Sequence, residues 1–188
     1  MHQIRKYLET FSPMRNSDWD YYSSKLQCVT FQKKELLLKK GQTENFLSFV
    51  EEGTLRMYFP KIENDLTFGF VFKNQFISGY DSFLTQVPCT YQIEALSKTT
   101  VWRISHADLN DIYTNTEIGN EIGRKNAERL FLIKSSRELS LLELTAKERY
   151  QNLFSERPQL IKEIPLKYIA SYIGITPQAL SRIRRQVS

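Results

Sequence analysis

Ile164-Pro165-Leu166-Lys167-Tyr168-Ile169-Ala170-Ser171-Tyr172-Ile173-Gly174-Ile175-Thr176-Pro177-Gln178-Ala179-Leu180-Ser181-Arg182-Ile183-Arg184-Arg185 reads as two short helices joined by a tight turn. Leu166, Ile169, Ala170 and Ile173 recur at threes and fours and mark the buried face of the first helix. Gly174 supplies the turn, because glycine enters positive φ without a Cβ penalty. Ile175 plugs the angle between the helices. Thr176 is an N-cap residue and Pro177 a favoured first helical residue. With Leu180 and Ile183 inward, Gln178, Ser181, Arg182 and Arg185 are left largely outward. This is the pattern of a helix-turn-helix whose second helix enters the major groove, where Gln pairs with adenine and Arg with guanine. From Ile161 onward, Lys162, Lys167, Arg182, Arg184 and Arg185 face a single acid, Glu163, an excess suited to phosphate contacts. The competing reading is an αα-hairpin packed on the rest of the protein. A small Ala170, a turn glycine, an N-cap and clustered arginines weigh against it.

Upstream, the chain changes period twice. Ile4, Leu8 and Phe11 lie at helical spacing until Pro13 breaks the pattern, and Ser17 is placed to cap a second short helix through Lys25, with Asp18 and Asp20 early in it. From Leu26 to Ser105 the spacing is that of strands: Cys28 to Phe31, Glu35 to Leu38, Phe46 to Val50, Leu55 to Phe59, Thr67 to Phe72, Tyr91 to Leu96 and Thr100 to Ile104. Lys40-Gly41, Glu52-Gly53, Glu63-Asn64-Asp65 and Lys73-Asn74 punctuate them as turns. Many short strands with little helix between them predict an antiparallel barrel or sandwich. Ser105-His106-Ala107-Asp108 resembles a capping box, with Asp in place of Glu, and Thr145-Ala146-Lys147-Glu148 is a full one, opening a helix to about Glu156 before Pro158. Between them Thr116 to Glu143 lacks proline and carries Ile118, Ile122, Leu130, Ile133, Leu139 and Leu142 as an apolar stripe. So long a helix cannot bury that stripe in so small a chain, which predicts pairing with a second copy. Gly119 and Gly123, four apart, would permit close backbone approach. A core helix packed wholly within its own chain is the alternative.

Composition bounds the rest. The 188 residues suffice for one large domain or a medium domain with a small appendage, and 41% hydrophobic with 25% charged residues is ordinary for a globular protein. Ten Tyr and twelve Phe agree with a β-rich core. A net charge of +5 suits a polyanionic partner without requiring one. No run of about 18 apolar residues spans a bilayer, and Met1 to Tyr7 lacks a signal-peptide stretch, so a cytoplasmic location is expected. Cys28 and Cys89 cannot supply four ligands to an iron–sulfur cluster or structural zinc site. A cupin-like metalloenzyme would need two or three histidines inside the barrel, whereas His2 and His106 lie outside the strand region. With no nucleophile–base pair, glycine-rich phosphate loop or paired catalytic carboxylates, a non-enzyme without metal or cofactor is expected.

Helices, a β-rich domain, a long helix and a helix-turn-helix, in that order, resemble the cyclic-AMP receptor and fumarate–nitrate regulator (CRP/FNR) family over nearly the whole chain. The resemblance implies an α+β fold: an N-terminal antiparallel β-roll, cyclic-nucleotide-binding-domain-like, with flanking helices (1–115), a long dimerisation helix (116–143), and a winged-helix-like helix-turn-helix (144–188). Because 188 lies just past the recognition helix, the family's final hairpin is expected to be reduced or absent. Gly41 and Gly53 look like turn glycines of the family's β-roll. By position Gln178 and Arg182 match base-reading residues and Thr176 a cap that also touches phosphate, while Pro177 replaces a frequent arginine. The expected DNA-binding set is Thr176, Pro177, Gln178, Ser181, Arg182, Arg184 and Arg185.

Nucleotide-binding members of that family carry a cassette with a Gly-Glu pair and a later arginine. Here Gly79 survives, Tyr80 stands in the glutamate's place and Cys89 or Thr90 in the arginine's. A buried phosphate without a cation loses several kcal/mol of solvation, so cyclic AMP is not the expected effector. Gly79, Tyr80, Asp81, Ser82, Cys89 and Thr90 form the candidate pocket for a different small-molecule effector, if one exists. The partners implied are double-stranded DNA, a second copy of the chain and RNA polymerase. The reading weighed against this regulator is a ligand-sensing or scaffold module whose DNA domain has degenerated.

Overall fold

In the computed structural model, which describes residues 1–187, the elements follow one another as α1 (His2–Leu8), α2 (Asn16–Ser24), β1 (Gln27–Phe31), β2 (Leu36–Leu38), β3 (Phe46–Glu52), β4 (Leu55–Phe59), β5 (Leu66–Val71), β6 (Phe76–Ile77), α3 (Tyr80–Thr85), β7 (Gln92–Ala95), β8 (Thr99–Ser105), α4 (His106–Asn115), α5 (Glu117–Glu143), α6 (Ala146–Glu156), α7 (Pro158–Glu163), α8 (Leu166–Tyr172) and α9 (Pro177–Val187). The strands form two sheets, in the orders β1-β8-β3-β6 and β2-β7-β4-β5. In the first, β1 and β3 both pair antiparallel with β8, placing Ser48 opposite Arg103 and Phe49 opposite Trp102. The chain divides into two compact units, residues 1–57 with 70–129, and residues 58–69 with 130–188. No helix among the described residues is long and apolar enough to cross a membrane.

Period-two alternation on β3 decides how the first unit packs. Leu47 and Phe49 point to one face, where they join Ile4, Leu8, Tyr22, Phe83, Ile104, Leu109 and Ile112 in a buried cluster. Ser48 and Val50, also fully buried, take the other face. Helices α1, α2 and α4 thus lie against the sheet rather than standing apart from it. Ile118 and Ile122, at the start of α5, pack on the same cluster. Both glycines of the G-x-x-x-G spacing are spent within the chain. A Cβ on Gly119 would meet the Ile112 carbonyl at 2.7 Å, and one on Gly123 the Tyr113 ring at 2.9 Å. They allow α5 to lie close to α4.

Several local expectations are corrected by the structure. Helix α2 starts at Asn16 with Arg15 in the N-cap position and no side-chain cap, so Ser17 sits inside the first turn and Asp18 is engaged by Arg15 at 3.0 Å. Pro158 ends α6 and also opens α7, where its missing N–H costs nothing. Strand β6 and helix α3 were not visible as separate patterns: two and six residues are too short to show a period. The two later caps form as the spacing predicts. Ser105 accepts from the Asp108 amide, and Thr145 and Glu148 satisfy each other's backbone N–H groups.

Gly53 turns β3 into β4 at φ +98°, and a Cβ there would fall 2.4 Å from Thr99 Oγ1 and 2.6 Å from the Lys98 carbonyl. Gly53→Ala therefore combines left-handed strain with a clash, and a loss of at least about 2 kcal/mol is expected in urea unfolding. Gly41, at φ +88° with open space around its Cβ position, serves as the milder control.

Candidate nucleic-acid interface

Within the second unit, a core of Tyr150, Leu153, Leu160, Ile164, Ile169, Ala170, Ile173 and Leu180 supports α8 and α9. Leu166, expected inside, is 42% exposed; Tyr172 is buried toward the end of the same helix. The turn between the helices is a Schellman motif. Ile175 N–H donates to the Ala170 carbonyl at 3.0 Å and Gly174 N–H to Ser171 at 3.1 Å, with Gly174 at φ +79°. Thr176 then caps α9: its hydroxyl accepts from the Ala179 amide at 3.2 Å, and its carbonyl from Leu180 N–H at 3.0 Å.

Thr176, Pro177, Gln178, Ser181, Arg182, Arg184 and Arg185 are all exposed, while Leu180 is buried and Ala179 and Ile183 half-buried. Gln178, Ser181, Arg182 and Arg185 lie three, four and seven residues apart, which puts them along one face of α9. The helix thus exposes hydrogen-bonding and cationic groups along that face.

The six pocket candidates belong to the first unit, and the structure brings only some of them together. Gly79 precedes α3 and is so tightly enclosed that a Cβ would lie 2.5 Å from Leu38 Cδ2 and 3.5 Å from Cys89 Sγ. Ser82 is buried; its hydroxyl accepts from the Glu44 amide at 3.0 Å and donates to the Val87 carbonyl at 2.5 Å. The Tyr91 hydroxyl donates to Asp81. Tyr80 is half-buried and stacks with Phe83, its ring centre 6.1 Å away, and Thr90 is exposed. Burial pushes the Cys89 thiol above its ordinary range.

Glu44 is the group that the sequence reading missed. Only 2% exposed, it accepts from the amides of Phe46 at 3.0 Å and Gly79 at 3.2 Å. Burial raises its pKa, opposed by those amides and by the positive charge of Arg103. Arg103 lies face-on to the Phe46 ring, 3.9 Å from its centre. A lone glutamate in an irregular segment before β3 carries no periodic signal. Only folding shows that its carboxyl group takes the Gly79 and Phe46 amides. Between Ser78 and Tyr91 the sequence itself has no lysine or arginine, and the positive charge acting on Glu44 comes from Arg103 on β8.

Thr176→Ala removes the cap of α9, and a stability loss of about 1 kcal/mol is expected in denaturant titration. Thr176→Ser should restore most of it.

Comparisons with known proteins agree with this architecture. Residues 28–116 match the family model described as the cyclic nucleotide-binding domain. No curated protein matches the sequence significantly. Among solved structures, a CooA mutant from Carboxydothermus hydrogenoformans is 16% identical, covering 96% of this chain and 83% of that one, with a TM-score of 0.70. CLP of Xanthomonas campestris, a c-di-GMP-responsive global regulator, is 13% identical over 92% of this chain and 91% of its own, with a TM-score of 0.69. The catabolite activator protein of Thermus thermophilus is 16% identical over 96% and 86%, with a TM-score of 0.58. The chain has the CRP-like fold, an antiparallel β-roll of the cyclic-nucleotide-binding type followed by a long helix and C-terminal helices.

Proposed function

We propose that this protein is a homodimeric, non-enzymatic, cytoplasmic transcription regulator that binds two-fold-related DNA through α9, and whose β-roll does not take cyclic AMP in the usual way. One observation carries the reading: α9 is capped and buried along one side, and exposes Thr176, Pro177, Gln178, Ser181, Arg182, Arg184 and Arg185 along the rest. Gln and Arg are the side chains that match adenine and guanine edges bidentately. The fold supports it too, since the neighbours reported above include an activator and a global regulator.

Dimerisation is supported by the surface of α5. In its second half Phe131, Leu132, Ile133, Leu139 and Leu142 are 54–78% exposed, an apolar surface that water penalises unless another surface covers it. Two copies of α9 would then read half-sites about one helical turn apart. Against cyclic AMP stand the buried Glu44 carboxylate and the absence of a basic residue from Ser78 to Tyr91, since both raise the cost of seating a phosphate there. Another small-molecule effector and RNA polymerase remain parts of the proposed partner set.

Selection of bound sequences from a random duplex library, with and without cyclic AMP, tests this reading. A palindromic consensus is expected in both arms, with affinity falling steeply as salt rises. Arg182→Ala should cost about 1–3 kcal/mol and relax preference at one base pair. Recovery of no consensus overturns the DNA-reading role. Separately, Leu139→Glu should weaken self-association at least about tenfold in analytical ultracentrifugation; an unchanged dimer would show that α5 is not the interface.

A further inference from the structure

The last four carbonyls of a helix have no partner within it, and each must be satisfied from elsewhere. At the end of α8 every one of them can be accounted for. Those of Ala170 and Ser171 accept from the Ile175 and Gly174 amides of the Schellman turn. Tyr172 O accepts from Arg137 Nη2 at 2.5 Å and Ile173 O from Arg149 Nε at 3.0 Å. Arg149 also donates through Nη1 to the Leu144 carbonyl. The guanidinium of Arg137 lies 3.8 Å from the centre of the Tyr172 ring, and Arg157 donates to the hydroxyl of that tyrosine at 3.0 Å. Cationic donors are favoured here because a helix C-terminus carries partial negative charge. Ser171, one residue earlier, accepts from the Thr67 amide at 2.8 Å and donates to the Asp65 carbonyl at 2.7 Å.

The two arginines come from different helices, Arg137 from α5 and Arg149 from α6, and both end on the residues that lead straight into the turn before α9. We propose that Arg137 and Arg149 are positioning residues for the recognition helix, completing the C-cap of α8 so that the turn leaves it at one angle. This rests on the DNA-reading role proposed above. Neither guanidinium is needed to touch DNA: each fixes where Gln178 and Arg182 arrive in the groove. Arg137 also ties the end of α8, and with it the start of α9, to α5, the helix proposed to carry the dimer.

The test uses the full chain with Arg137→Met, Arg149→Met and the milder Arg137→Lys and Arg149→Lys, all checked for an unchanged fold by circular dichroism. Two measurements are made: affinity for the selected duplex across a salt series, and amide hydrogen exchange. The Met variants should lose specific affinity about tenfold with an unchanged salt slope. Exchange at Gly174 and Ile175 should quicken about tenfold while that of Phe49 in β3 stays put. The Lys variants should recover part of both. Unchanged affinity and exchange would overturn the proposal. So would a salt slope lower by about one ion per arginine, the signature of direct phosphate contact. Should the wild-type chain select no sequence, the DNA-reading role falls. Exchange at Gly174 and Ile175 then still decides the cap: quickened exchange supports it and unchanged exchange overturns it.

Discussion

Helix α5 runs for 27 residues, about 40 Å, and only Gly119 along it is buried. A helix of that length draws little stability from propensity alone, so its surroundings must hold it. Its first turns are held by the sheet-backed core through Ile118 and Ile122, and by the close approach of Gly119 and Gly123 to α4. Further along, Lys125 donates to the Phe11 carbonyl at 2.6 Å and Arg129 to the Tyr7 hydroxyl at 3.0 Å. Its last turns carry Arg137, which grips α8. Residues 117–129 of this helix belong to one compact unit and residues 130–143 to the other.

The two candidate sites differ in how they treat their own polar groups. In the β-roll, the protein answers its donors internally: Glu44 takes the amides of Gly79 and Phe46, Ser82 takes that of Glu44, and Asp81 takes the Tyr91 hydroxyl. A ligand entering there would have to displace contacts already made. On α9, Gln178, Ser181, Arg182 and Arg185 are exposed, while Leu180 is committed to the core.

Local signals were legible wherever their physics is local. A capping box needs only Thr145 and Glu148 three apart, and a Schellman turn needs a glycine after an apolar helix face, so both could be recognised before folding. Signals failed where a neighbour in space decides. Leu166 has the spacing of a core residue yet is exposed, while Tyr172, outside the predicted set, is buried and contacted by Arg137 and Arg157. Ser17 had the right identity for a cap, but Arg15 and Asp18 start the helix earlier.

From its residues alone the chain determined that it alternates into strands between helices, that a long helix follows, and that a basic helix capped by Thr176 ends the pattern, because periodicity and capping depend on neighbours within a few residues. Tertiary structure decided which groups meet across long separations. Ser171 joins Asp65, 106 residues away, and Arg137 reaches Tyr172, 35 residues on. Glu44 finds Gly79, 35 residues distant, at the start of α3. No local pattern encodes such pairings, since each is fixed by burial: a carbonyl, an amide or a carboxylate removed from water must take whichever partner the packed chain brings within reach.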